Sequence, residues 1–154
     1  MVSPALTGLE KLHQELVALI AELGEATARD VPDRSQLTGI RWRLSRASRA
    51  RTRLIETILL PHLRVQASPR DSHALDTLQE QIATASAESS RHVGAWSIDR
   101  ASADWAGYRA ASSEMRQAMT RRIDAEKTLL YPLLQRSPIA PANGPVPLPE
   151  TDAG

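Results

Sequence analysis

Apolar residues recur at three- and four-residue steps along four long stretches of the chain and nowhere alternate at a spacing of two, which predicts helices and no strands. The first stretch runs from about Pro4 to Ala28, with Leu6, Leu9, His13, Leu16, Ile20 and Leu23 on one face. Ser3 and Pro4 suit its cap and first turn. Arg29 to Arg34, which contains Pro32, reads as a turn. The second stretch, about Ser35 to His62, carries Ile40, Leu44, Ala47, Arg51, Leu54 and Ile58, and Pro61 is expected to kink or end it. Ser68 to Ser72 breaks the pattern and offers capping residues to a third stretch, about Ser72 to His92. That stretch is lined by Leu75, Leu78, Ile82 and Ala85 and weakens where Ala83 to Ser90 become small and polar. Gly94 to Asp99 connects it to the fourth, about Arg100 to Leu134, where Trp105, Tyr108, Ser112, Met115, Met119, Arg122, Glu126, Leu129 and Leu133 keep the helical step.

One apolar stripe per helix and short connections predict an all-α, antiparallel up-down-up-down four-helix bundle over residues 1–136. Past Arg136 the periodicity stops and five prolines fall between Pro138 and Pro149, which predicts a Pro-rich disordered or extended tail, 137–154. The full length of 154 residues suits one domain with a real core. A net charge of +1 gives no overall pull toward nucleic acid or an anionic membrane, and no apolar run approaches a membrane span. Met1 to Ala5 has no basic and apolar leader pattern, so a cytoplasmic location is the expectation. With no cysteine, disulfides, thiolate metal sites and cysteine catalysis are excluded.

The second and fourth stretches end alike. Arg51 to Leu63 can be laid over Arg122 to Leu134 at a constant shift of 71 residues (122 − 51), so that both arginines and both prolines, Pro61 and Pro132, coincide. A looser match lays Leu9–Leu16 over Leu75–Ile82 at a shift of 66 (75 − 9). Leu130-Tyr131-Pro132-Leu133-Leu134, six residues from Glu126 to its proline, with Leu59-Leu60-Pro61 as a second copy, resembles the helix endings of the hemerythrin-like (HHE cation-binding) family. The resemblance covers about residues 5–135. It implies a four-helix bundle whose second and fourth helices each supply a His-x-x-x-Glu pair, and whose first and third each supply a histidine, to a di-iron centre.

At those positions this chain keeps His13 and Glu126, but has Arg51 and Arg122 for two histidines, Ile55 for a glutamate and Gln79 for a histidine. Two retained ligand types are too few for a di-iron site, and a guanidinium brings a positive charge that does not deprotonate. No cofactor is expected. The vestigial positions Arg51, Ile55, Gln79 and Arg122, with Glu56 nearby, admit two readings. Either Arg51, Arg122, Glu126 and His13 form a buried ionic cluster, or the arginines extend out of the seam to water. If both arginines face inward, Arg51 needs a partner, either Glu56, Glu15 or Glu80 or a small anion held in the interior.

The remaining features point to no chemistry of their own. Arg43, Arg46, Arg49 and Arg53 form a stripe that glutamates of the first helix could neutralise, which argues against a nucleic-acid surface. Trp105, Tyr108, Met115 and Met119 suit ordinary core, and Trp96 suits a bundle end or a partner contact. No glycine-rich phosphate loop, Ser/His/Asp set or catalytic carboxylate pair is present. The expected function is therefore a non-catalytic binding or regulatory module, with a protein partner, a second copy or a small interior anion as its ligand. The alternative is a metal- or ligand-binding sensor or oxygen- and redox-responsive protein with a rearranged site.

Overall fold

A computed structural model describes the protein from Ser3 to Ile139, and among these residues there are helices and connections but no strand. Helix α1 is Pro4–Thr27; α2 is Arg34–Leu54, continued through a π-helical turn, Ile55–Leu59, into α3, Leu60–Val65. Helix α4 is Pro69–Ala95, α5 is Ile98–Ala103 and α6 is Trp105–Arg136. Helix α1 packs along α2 and α6, and α4 packs on α6 and α3. No helix among the described residues is long and apolar enough to cross a membrane.

Side-chain caps set several boundaries. Asp33 accepts from Gln36 N at the start of α2, and Ser68 accepts from Asp71 N at the start of α4. The fourth predicted helix is divided: Ser97 caps α5 through Arg100 N, and Asp104 caps α6 through Gly107 N. Two strong capping side chains only seven residues apart favour two helix starts over one continuous helix. Pro61 does not end the second helical stretch, which continues to Val65. The proline removes a backbone donor and crowds the carbonyl four residues earlier, and the wide turn of Ile55–Leu59 opens the hydrogen-bond ladder at that place.

The π turn also moves the buried face. Ile55 and Leu59 are fully buried, whereas Ile58, expected in the core, is 48 % exposed. A comparable slip occurs in α6, where Ile123, Glu126, Leu130 and Leu134 are buried and the expected Leu129 and Leu133 are only half-buried. The repeat survives these shifts, because Arg51, Ile55, Leu59 and Leu63 and their counterparts Glu126, Leu130 and Leu134 all face inward, with Arg122 only slightly exposed.

The core is divided along its length into three apolar clusters. One holds Leu6 and Leu9 with Ile55, Leu59, Leu75, Leu78, Ile82 and Leu130. The middle one holds Leu16, Leu19, Ala47 and Ile123. The third holds Leu23, Leu37, Ile40, Ala101 and Tyr108, with Trp96 and Trp105 packed against it. Trp96 thus closes one end of the core, and Trp105 Nε1 donates to Arg29 O at 2.9 Å, tying the α1–α2 connection to α6. At the opposite end packing extends past the expected boundary at Arg136. His62 Nε2 donates to Ser137 O at 2.9 Å, and Ile139 packs on the leucine cluster. The rest of the predicted tail, 140–154, lies outside the described residues.

Candidate functional site

A polar layer separates the first apolar cluster from the middle one. Along α1, His13 lies between Leu9 and Leu16; along α2, Arg51 lies between Ala47 and Ile55; along α6, Glu126 lies between Ile123 and Leu130. Helical spacing alone puts these side chains at one level of the interior. His13, Arg51 and Glu126 are each 0 % exposed.

The Glu126 carboxylate is the hub. Its Oε1 accepts from His13 Nε2 at 2.8 Å, and its Oε2 accepts from Arg122 Nε at 3.1 Å. Arg51 Nε stands 3.5 Å from Oε1, close enough for charge attraction but not aligned as a hydrogen bond, and it finds no hydrogen-bond partner among the described residues. An ionised carboxylate only accepts, so Nε2 of His13 carries the proton that faces it. The Tyr131 hydroxyl lies 2.7 Å from His13 Nδ1 and donates to it when the imidazole is neutral. Burial, with the negative Glu10 and Glu126 nearby, pushes the Tyr131 phenol up to about 12, so it stays a donor.

The two arginines are not equivalent. Arg122 also donates to Thr52 Oγ1 at 2.9 Å, and its side chain is 12 % exposed. Among the described residues Arg51 is the largest fully buried side chain; Nη2 donates to Ser48 Oγ at 3.1 Å, while Nε and Nη1 lack hydrogen-bond partners there. Burial pushes its guanidinium down to about 10 despite the attraction of Glu126, and Arg122 adds to the fall. Two guanidinium charges therefore share one carboxylate.

Of the residues singled out by the sequence, the structure gathers His13, Arg51, Arg122 and Glu126, with Ile55 as apolar wall one turn beyond Arg51. It leaves out Gln79, which is exposed and accepts from Arg64 Nη2 at 2.7 Å. The reason is register: α1 buries residues 9, 13 and 16, whereas α4 buries 75, 78 and 82, so Leu78 takes the inward place assigned to Gln79. Glu56 is exposed beside Ile55, and neither it nor the exposed Glu15 and Glu80 pairs with Arg51. Ser48, Thr52 and Tyr131 were missed. A buried imidazole needs partners on both ring nitrogens, and that demand was the available signal for Tyr131.

A di-iron centre does not fit these residues. The donor atoms of His13 and Glu126 face each other, guanidinium groups stand at two positions where further ligands would be needed, and Ile55 has no donor atom. Among the described residues, no three His, Asp or Glu side chains come together to hold a metal ion. Nor does the arginine stripe act as one surface. Arg43 pairs with Glu22 at 3.2 Å, while Arg46 lies over the Trp42 ring at 5.3 Å. Comparison with known protein families, with curated proteins and with solved structures finds no match for this chain.

Proposed function

We propose that the chain is a hemerythrin-like antiparallel four-helix bundle in which a buried ionic layer stands in place of the metal centre, and that it is a non-catalytic binding or regulatory module of the cytoplasm. The observation that carries this reading is Arg51. A fully buried guanidinium faces Glu126 from the position where the resemblance calls for a histidine ligand. Arg122, its counterpart in the repeat, binds the other oxygen of the same carboxylate. The guanidinium groups supply fixed positive charge to Glu126 and hold His13 and Tyr131 in one hydrogen-bonded chain. The imidazole and the carboxylate are fully buried and spend their donors and acceptors on one another, on Tyr131 and on the arginines, so the layer's chemistry is to hold the helices in register.

Elemental analysis and an absorption spectrum of the purified protein test this reading. The expected result is no stoichiometric iron or manganese. Two metal ions per chain would overturn it, and one bound through His13 and Glu126 would overturn the assignment of the layer. The second reading, a sensor that binds a ligand within the bundle, is favoured by a cavity at another level of the core.

A further inference from the structure

The core has a second interruption, between the middle apolar cluster and the Tyr108 cluster. Helix α4 causes it. Its buried residues are Leu75, Leu78 and Ile82, and none follows in Ala83–Ala95, where the alanines and serines up to Ser90 are too short to reach across and the half-buried His92 stacks on Tyr108 at the far side. The result is a cavity of about 50 Å³ between α1, α2, α4 and α6. Much of its wall is apolar, including Leu44, Met115 and Met119, with Tyr108 at one side. Into this wall are set the fully buried Ser112 Oγ, beside the Tyr108 hydroxyl, and the serine hydroxyls of α2 and α4.

The mouth lies between α2 and α4. Arg41, Ser45 and Val93 belong both to the cavity and to a wider external groove that adds Trp42, Arg46 and Arg49. No carboxylate lines either space, and among the described residues none pairs with Arg41, Arg46 or Arg49. Arg41 Nη1 is buried without a hydrogen-bond partner among the described residues. Its guanidinium stands 5.7 Å from the centre of the Tyr108 ring. A mostly apolar chamber with a few convergent donors and one unpaired cation at its mouth is the arrangement that takes a small amphipathic anion.

We infer that this space binds a short-chain organic monocarboxylate, its hydrocarbon end in the cavity and its carboxylate on Arg41 at the mouth. Size limits the ligand. A water needs at least ~10–15 Å³ of such space, so the cavity takes about four heavy atoms and a longer ligand extends into the groove. Arg46 and Arg49 raise the local concentration of anions, and Trp42 covers the part that remains outside. The inference gives the binding-module reading a ligand class and rests on it. Metal analysis tests that reading, whereas the experiment here tests the ligand, and each can fail alone.

The probe is hexanoate, titrated calorimetrically into the full-length protein, with hexanamide and inorganic phosphate as comparisons. The expected result is saturable binding of one hexanoate per chain, weakened at least about tenfold by replacing the carboxylate with an amide or by Arg41→Gln. Ser89→Phe, which fills the cavity from α4, should weaken it by a similar factor. Thermal melting verifies that each variant is folded; if Ser89→Phe is not, Arg41→Gln and hexanamide still decide. Absence of saturable binding at about 10 mM hexanoate would overturn the inference, since a millimolar binder is then nearly saturated. Hexanoate binding unaffected by Arg41→Gln, or phosphate binding as tightly as hexanoate, would overturn it as well.

Discussion

Removing the Glu126 carboxylate should unfold much of the margin of stability, and the choice of second substitution should decide whether it returns. Glu126→Leu leaves Arg51 as a fully buried cation with only Ser48 as a partner, and orphaned buried charges cost about 3–5 kcal/mol. For a chain of this size that is a drop of about 10 °C in melting temperature. The state of Arg51 points the same way. Its guanidinium is held down to about 10 even with Glu126 present, because burial and the Arg122 charge outweigh the carboxylate's attraction. At neutral pH the group is charged whether folded or unfolded, so the burial cost is fully present.

Arg51→Met should therefore be neutral or stabilising by about 1–2 kcal/mol, because Glu126 keeps His13 and Arg122. Combining Arg51→Met with Glu126→Leu should return stability to within about 2 kcal/mol of the parent, leaving mainly the unpaired Nε2 of His13. Combining Glu126→Leu with Arg122→Leu should not rescue, because Arg51 stays unpaired. Arg122, slightly exposed and bonded to Thr52, can reach water without its carboxylate. Urea denaturation of the five proteins measures the coupling, expected to be about 2 kcal/mol for Arg51 with Glu126. If Glu126→Leu costs less than about 1 kcal/mol, or if both double variants are equally stable, the layer is hydrated and the ionic-replacement reasoning fails.

Two further outcomes follow from other parts of the molecule. Burial, with the Arg41 charge nearby, holds the His92 imidazole below its ordinary value, so between that depressed value and about 6.5 the unfolded chain binds more protons and stability falls as pH falls. His92→Gln should flatten the stability difference between pH 7.5 and 5.5 in urea melts; an unchanged slope would show that His92 does not contribute. Deleting residues 140–154 should leave the melting temperature unchanged, whereas deleting from Ser137 should cost about 1–2 kcal/mol through the loss of the His62 hydrogen bond and the Ile139 contact. Equal melting of the two truncated proteins would refute a structural role for Ser137–Ile139.

The all-helical fold was legible because each long stretch needs only one apolar face, and the three- and four-residue step records that face directly. Phase was harder to read. A π turn adds residues to a turn without leaving a periodicity of its own, so the step from Ala47 through Arg51 stayed correct while its extension to Ile58 did not. In α6 the choice between Leu129 and Leu130, or Leu133 and Leu134, cannot be made from hydrophobicity, since each pair is leucine on adjacent faces. His13 and Gln79 differ by the same one-residue uncertainty, resolved only when Leu78 turned out to face the core.

The ionic layer was visible for the opposite reason. Charge on an otherwise apolar seam is costly, and its repetition at Arg51 and Arg122 makes chance placement a poor explanation. What the sequence left open was the pairing. His13 and Glu126 are 113 residues apart, and Tyr131 reaches His13 from off the expected stripe. The cavity was less legible still, because it arises from side chains that are too short. Ala83–Ser90 reads as a weak helix face in one dimension, and only three neighbouring helices make that weakness an enclosed space. The same shortness leaves Arg41 at the mouth of that space without a carboxylate partner among the described residues, so the feature that weakens α4 as a packing element is also what makes an anion site there physically reasonable.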